Sequence, residues 1–247
     1  MDDLSVVIPC KDEDNAIIQS IVNELEKHKI EVIVVDDGSK KPFKKSIKHG
    51  DSYGYGAALL TGIKNASRPL IITMDGDGQH SVADVFNLYI AWKMMKDCDL
   101  LIGSRRLKYE KWLRMWGRKC LNWIASLITG YYFQDLNSGM RMFNRDIAIG
   151  YAPILCKRFS FTTSITISML CDGYRVESFP IRVEPRKFGK SHVKVVSDGF
   201  VTLYYILYIG LALRTRKLRK WLRDFKSLAW IGKIGMTHST LKVSDKT

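Results

Sequence analysis

The chain has 247 residues, 46% hydrophobic and 26% charged, a size for one α/β domain with an appendage, and it excludes low-complexity and collagen-like classes. Its net charge of +14, from 39 Lys and Arg against 25 Asp and Glu, favours an anionic partner: nucleic acid, anionic lipid or a phosphorylated ligand. The five cysteines show neither a CxxC pair nor metal-finger spacing, which argues against a zinc finger or a disulfide frame and for reduced, buried thiols.

Met1-Asp2-Asp3 has no basic run and no long apolar stretch behind it, so no secretory leader is expected. Residues 4–8 (LSVVI) form a short β-branched run ended by Pro9. A helical pattern follows over 14–28, then a second run at 31–35 (EVIVV) closed by Asp36-Asp37-Gly38-Ser39. A helical pattern over 55–66 leads to a third run at 69–74 (PLIITM), closed by Asp75-Gly76-Asp77, and a fourth at 99–102 (DLLI), closed by Gly103-Ser104-Arg105. Short apolar runs punctuated by turn residues read as buried strands. Their alternation with helices predicts an α/β fold with a mostly parallel, doubly wound central sheet. In such sheets ligands bind beyond the carboxyl ends of the strands, and here each of those ends carries polar chemistry.

The second half differs. Residues 112–130 pattern as an amphipathic helix with a basic side, 159–170 are apolar and rich in Ser and Thr, and 175–183 resemble a further strand. Residues 199–213 (GFVTLYYILYIGLAL) are almost wholly apolar and are followed by RTRKLRKWLRDFK. The apolar run falls short of the about 20 residues a spanning helix needs. It suits an interfacial helix followed by a basic segment on anionic headgroups; a core helix with a solvated basic extension is the alternative. The expected organisation is a catalytic domain over 1–195, membrane-associated helices over 196–231 and a disordered tail over 232–247.

Asp75-Gly76-Asp77 is the central chemical motif. Two carboxylates one residue apart at a strand end can converge on a divalent cation, and oxygen ligands suit Mg²⁺ or Mn²⁺, with Gln79 and His80 following within reach. Asp36-Asp37 is a second acidic turn, able to accept hydrogen bonds from a base or ribose or simply to cap a turn. The GxGxxxxxG spacing over 54–62 fails the dinucleotide fingerprint, and no GK[ST] of a P-loop follows. Arg105, Arg106, Arg114 and Arg118 supply positive charge near the acidic edge, and Arg186 to Ser191 is a basic, glycine-hinged loop able to close over phosphates. No zinc finger, RNP-like run or recognition helix supports nucleic acid as the partner.

VVIPCKDE (6–13), VVDDGS (34–39), GYGAALLTG (54–62), MDGDGQH (74–80), IGSR (102–105), NSGMRMF (137–143) and RKFGKS (186–191) occur in one order over about residues 4–195. With these motifs the chain resembles family-2 glycosyltransferases of the GT-A fold, within them the dolichol-phosphate mannosyltransferase-like group. The resemblance implies an inverting, metal-dependent transfer of a sugar from a nucleoside-diphosphate sugar to a polyprenyl (dolichyl or undecaprenyl) phosphate. The enzyme would work peripherally at the cytoplasmic face of a membrane, with no nucleic-acid partner. A family-2 enzyme acting on a glycan acceptor is the alternative. The resemblance further implies that Asp75, Asp77 and Gln79 hold Mg²⁺ or Mn²⁺ on the donor, and that Pro9, Glu13, Asp36 and Asp37 lie on its nucleoside. Arg105 and Arg186 would act with Asp77 on the departing diphosphate, and Arg118, Ser138 and Lys190 would bind phosphate on the acceptor side. Lys11-Asp12, Thr163 and His192 depart from the family pattern, so the sugar is not named by it.

Overall fold

The structure, a computed structural model, describes residues 1–105, 112–184, 197–213 and 215, without the side chains of Leu113 and Arg114. Arg106, Arg186, Lys190 and His192, the basic segment after 213 apart from Thr215, and the 232–247 tail lie outside the described residues. The chain divides into two compact units, Met1–Gly210 and Leu211–Thr247.

The first unit is built on a seven-stranded sheet. Its strands are β1 (Leu4–Cys10), β2 (Glu31–Asp36), β3 (Ile47–Lys48), β4 (Leu70–Thr73), β5 (Leu100–Arg105), β6 (Arg141–Asn144) and β7 (Val176–Ile181), in the order β3-β2-β1-β4-β6-β5-β7. All neighbours pair in parallel except β6, which runs antiparallel to both β4 and β5. Around the sheet lie α1 (Asn15–Lys27), α2 (Tyr55–Asn65), α3 (Val82–Met94), α4 (Trp112–Thr129), α5 (Arg145–Tyr151) and α6 (Phe161–Cys171).

Both sheet faces are covered, which is why the strands read as continuous apolar runs. Successive residues point to opposite faces. Val6, Ile8 and Ile72 join Ile18, Leu25 and Leu88 in one core, while Val7 and Ile71 join Leu59, Ile63, Phe143 and Phe161 in the other. Helix α1 buries Ile18, Ile21, Val22 and Leu25, one stripe at helical spacing, and Asp14 caps it by accepting from the Ala16 N–H. Helix α3 starts in a reciprocal capping box between Ser81 and Asp84. Pro9 sits in a central strand without breaking it. Val7, of the same parity, gives its carbonyl to Met74 beyond β4, and the β4 pairing ends at Val7, so the missing proline N–H has no ladder partner to lose.

The structure extends the sequence-based elements. It adds the two-residue β3, the short antiparallel β6, and helices α3 and α5; and it shows the Ser/Thr-rich stretch to be α6, buried along nearly its whole length. Residues 197–210 are helical and have two faces. Ile206 and Ile209 are buried and Thr202 bonds Ser160 at 2.8 Å, while Phe200, Tyr204, Leu207 and Tyr208 are exposed. Among the described residues no helix is long and apolar enough to cross a membrane.

Candidate functional site

Strand order reverses between β1 and β4: β2 follows β1 on one side, and β4 flanks it on the other. Such a switch point opens a crevice at the carboxyl ends of the strands. The turns after β1 and β4, residues 11–14 and 75–79, border it, with the turn after β2 on one side and Arg105 at the end of β5 on the other.

The turn after β2 is organised by its two carboxylates. Asp36 accepts the Ser39 N–H at 2.8 Å and the Phe43 N–H at 3.3 Å. Asp37 accepts from His49 Nδ1 (2.8 Å), the Ser52 hydroxyl (2.8 Å) and the backbone N–H groups of Tyr53 and Gly54 (2.9 Å each). His49 also meets the Thr61 hydroxyl at 3.0 Å through Nε2. Burial pushes the Asp37 carboxyl up, but these four hydrogen bonds outweigh it and hold the group below the usual carboxylate range. Asp12, in a left-handed conformation, is clasped to the same turn: its N–H reaches Ser39 Oγ and its carboxylate accepts the Lys40 N–H, both at 2.8 Å. Burial pushes the Cys10 thiol up, helped by the negative charges of Asp36, Glu13 and Asp37, which gather around it.

After β4, Asp75, Asp77 and Gln79 reach solvent while Met74, Gly76 and His80 are buried. The Tyr55 hydroxyl donates to Asp75 Oδ1 at 2.7 Å, and His80 Nε2 lies 3.6 Å from Asp75 Oδ2. His80 Nδ1 is buried with no partner among the described residues, so the ring's polar reach is through Nε2. Burial opposes ionisation of Asp75, yet the contacts with His80 and Tyr55 and the charge of Arg105 hold its carboxyl below the usual range. Burial pushes the Tyr55 phenol up, and the negative charge of Asp75 adds to it. Asp77 Oδ1 accepts the Gln79 N–H at 3.0 Å, and Gln79 Nε2 donates to the Glu184 carbonyl at 3.2 Å, orienting the amide. A Cβ on Gly139 would crowd the Asp75 carboxylate and push it aside.

Two carboxylates and an amide oxygen are hard donors, the set Mg²⁺ and Mn²⁺ take when substrate phosphates complete the shell. Among the described residues no group of three or more His, Cys, Asp or Glu is arranged to hold an ion. The hard-oxygen chemistry of Asp75, Asp77 and Gln79 is the kind the implied cation takes.

Beyond it lies a positive cluster. Arg105 grips Asp135 with Nε at 2.7 Å and Nη2 at 3.0 Å, and its backbone N–H adds a third bond at 3.3 Å. Burial raises the Asp135 carboxyl, but the Arg105 fork more than reverses it and holds the group low. Arg141 is fully buried, donating to the Ser138 carbonyl at 2.9 Å, the Thr166 hydroxyl and the Leu136 carbonyl. Burial pushes its guanidinium down to about 10, against the opposing charge of Asp135. Arg118 Nη1 approaches the Gln134 carbonyl at 3.5 Å and its charge is felt at Asp135.

The expected residues thus divide. Glu13, Asp75, Asp77, Gln79, Arg105 and Arg118 are all partly exposed around the carboxyl edge. Ser138 is a correction: it is fully buried, and its hydroxyl donates to the Gly103 carbonyl at 2.5 Å, so it ties the end of β5 to the 135–141 turn instead of facing a phosphate. Asp36 and Asp37 are buried: Asp36 accepts backbone N–H groups of its own turn, and Asp37 ties that turn to the 49–54 segment ahead of α2. Sequence reasoning missed Tyr55, Asp135 and Arg141 as parts of the site. Tyr55 and Arg141 lay inside quoted motifs and Asp135 just before one, but nothing in the spacing said what they touch.

A family model described as Glycosyl transferase family 2 matches residues 5–152. An uncharacterized protein of Methanocaldococcus jannaschii is 30% identical over 225 residues, covering 83% of this chain and 91% of that protein. The UDP-N-acetylglucosamine–dolichyl-phosphate N-acetylglucosaminyltransferase of Methanococcus voltae is 25% identical over 240 residues, covering 83% of this chain and 94% of that protein. Among solved structures, glucosyl-3-phosphoglycerate synthase of Mycobacterium tuberculosis, in complex with Mn²⁺, UDP and phosphoglyceric acid, matches with a TM-score of 0.66. It is 14% identical over 84% of this chain and 78% of that one, a likeness of fold.

Proposed function

Because the chain belongs to glycosyl transferase family 2, we propose that it moves a sugar, with inversion, from a nucleoside-diphosphate donor to a polyprenyl phosphate at a membrane surface. The observation that carries this reading is the partly exposed pair Asp75 and Asp77 in the turn after β4 at the switch point, with Asp75 held by the Tyr55 hydroxyl and Asp77 by the Gln79 N–H. The Methanococcus voltae relative, named for a dolichyl-phosphate acceptor, supports the choice of acceptor.

Asp75, Asp77 and the Gln79 amide would hold Mg²⁺ or Mn²⁺, which supplies Lewis-acid neutralisation of a departing diphosphate. The rest falls to the chain. The 11–14 and 36–40 turns, clasped together through Asp12 and Ser39, form a rigid wall for the nucleoside beside Pro9 and Glu13. The field of Arg105 and Arg118 favours the diphosphate as charge develops on it. The attacking phosphate oxygen is already ionised at neutral pH and needs little help from a general base. Its bond to the anomeric carbon forms as the carbon–oxygen bond to the diphosphate breaks on the opposite face, and the electron pair leaves with the nucleoside diphosphate.

Membrane docking draws support from two aromatic stripes. Helix α4 exposes Trp112, Trp116, Trp123 and Leu127 at helical spacing, with the Lys119 ammonium 5.8 Å from the Trp116 ring. The helix over 197–210 exposes Phe200, Tyr204 and Tyr208. Tryptophan and tyrosine favour the headgroup level and cations favour anionic lipid. We assign the chain to the cytoplasmic face as a peripheral protein.

The deciding experiment incubates the protein with extracted polyprenyl phosphate, Mg²⁺ or Mn²⁺, and a panel of labelled nucleotide sugars. One donor is expected to label the lipid, and EDTA to stop it. Labelling of a glycan with the lipid left unlabelled would move the acceptor assignment to the alternative. A sharper structural test is Gly139→Ala. Its methyl needs the space of the Asp75 carboxylate. A displacement of about 1 Å at such a group costs on the order of 100-fold in rate. That loss in kcat/KM, with the fold kept by circular dichroism, is the expected result.

A further inference from the structure

We infer that Tyr55 is a positioning residue for the metal site: its hydroxyl fixes the Asp75 carboxylate in the orientation that receives the cation. The inference rests on the reading of Asp75 as a metal ligand and adds to it a residue to which the quoted motifs assign no role.

Three neighbours hold the Asp75 carboxylate. Tyr55 donates to Oδ1 at 2.7 Å, His80 Nε2 stands 3.6 Å from Oδ2, and the Gly139 backbone is packed so closely that no Cβ would fit beside the same oxygen. Among the described residues Tyr55 makes the one short, charge-assisted hydrogen bond to it, the kind that fixes direction as well as distance. The tyrosine is itself held. It is the first residue of α2, and Gly54 before it has φ +106° with a would-be Cβ 2.6 Å from the Lys157 carbonyl oxygen. The Ala57 N–H donates to that same carbonyl at 2.9 Å, so the start of α2 is docked on the 156–158 segment. The ring stacks on Phe159, centroids 5.5 Å apart and planes 16° from parallel. A hydroxyl anchored in this way leaves the carboxylate little freedom to rotate before an ion arrives.

Hydrogen-bond partners of metal ligands set ligand orientation, and their loss typically weakens metal binding about 10- to 100-fold. Tyr55→Phe deletes the donor and keeps the ring and its stack. We would titrate wild type and Tyr55→Phe with Mn²⁺, reading free ion by electron paramagnetic resonance, both alone and with each of a panel of nucleoside diphosphates. The expected result is a Mn²⁺ dissociation constant raised about 10-fold or more. In the transfer assay the Mn²⁺ requirement should rise likewise, with most of kcat recovered at high Mn²⁺, a split that a general loss of structure would not produce. An unchanged constant in a folded Tyr55→Phe overturns the inference and leaves the proposed function standing. No Mn²⁺ binding by wild type under any of these conditions overturns the metal assignment and the inference with it. If Tyr55→Phe does not fold, Phe159→Leu, which loosens the ring and keeps the hydroxyl, is expected to raise the constant in the same direction; no change there is equally fatal.

Discussion

Asp77→Asn is expected to reduce metal-dependent sugar transfer by about 10²–10³-fold or more, the scale on which loss of a group stabilising transition-state charge is felt. The substitution is conservative everywhere except in charge. Asp77 is partly exposed, and the bond from the Gln79 N–H to its Oδ1 can be accepted equally by an amide oxygen, so the turn survives. Stability should stay within about 0.5 kcal/mol, as for exposed positions generally. On the proposed function, what would change is the ion's environment: one anionic ligand in place of two, and a weaker hold on the donor diphosphate. Transfer measured across Mg²⁺ and Mn²⁺ concentrations, beside a urea denaturation curve, separates lost chemistry from lost fold. Full activity in this variant would remove the basis of the proposed function.

The parts of this site that the sequence made legible are those set by strands and the turns that end them. Each early strand is a short apolar run closed by Pro, Gly or Asp, and a doubly wound sheet sends every carboxyl end to one edge, so Asp75, Asp77 and Arg105 could be placed before any coordinates. Strand β6 could not. Arg141–Asn144 is too short and mixed to announce itself, and its antiparallel pairing with β4 and β5 exists only once both are present. Helix α6 was hidden for another reason. Its Ser164 and Thr166 hydroxyls bond back to the Phe161 and Thr162 carbonyls, so a polar helix can be buried all round and shows no amphipathic period. Side-chain direction was the least legible property. Ser138 and Asp37 sit in polar motifs yet turn inward, and Tyr55 reaches Asp75 across 20 residues of chain by a route that depends on where α2 docks.

Asp135→Ala is the second large effect, and it falls on stability. Asp135 is buried, and its carboxylate takes the Arg105 fork while lying in the field of the fully buried Arg141. Removing it strips the partly exposed Arg105 of its fork and leaves the charge of the fully buried Arg141 without that opposing field. Breaking a buried pair from one side costs about 3–5 kcal/mol, about a fifth or more of the roughly 5–15 kcal/mol that holds a domain together. The urea midpoint should fall accordingly. The pH dependence supplies an independent check. A carboxyl held below its unfolded value of about 3.9 binds protons less readily in the folded chain, so its stabilisation is complete above that value and lost as pH falls through the folded one. Wild type should therefore lose stability between pH about 4 and lower values more steeply than Asp135→Ala. Parallel acid limbs in the two proteins would mean that the Arg105 fork contributes nothing net, and that Arg141 is held by its carbonyl and hydroxyl partners alone.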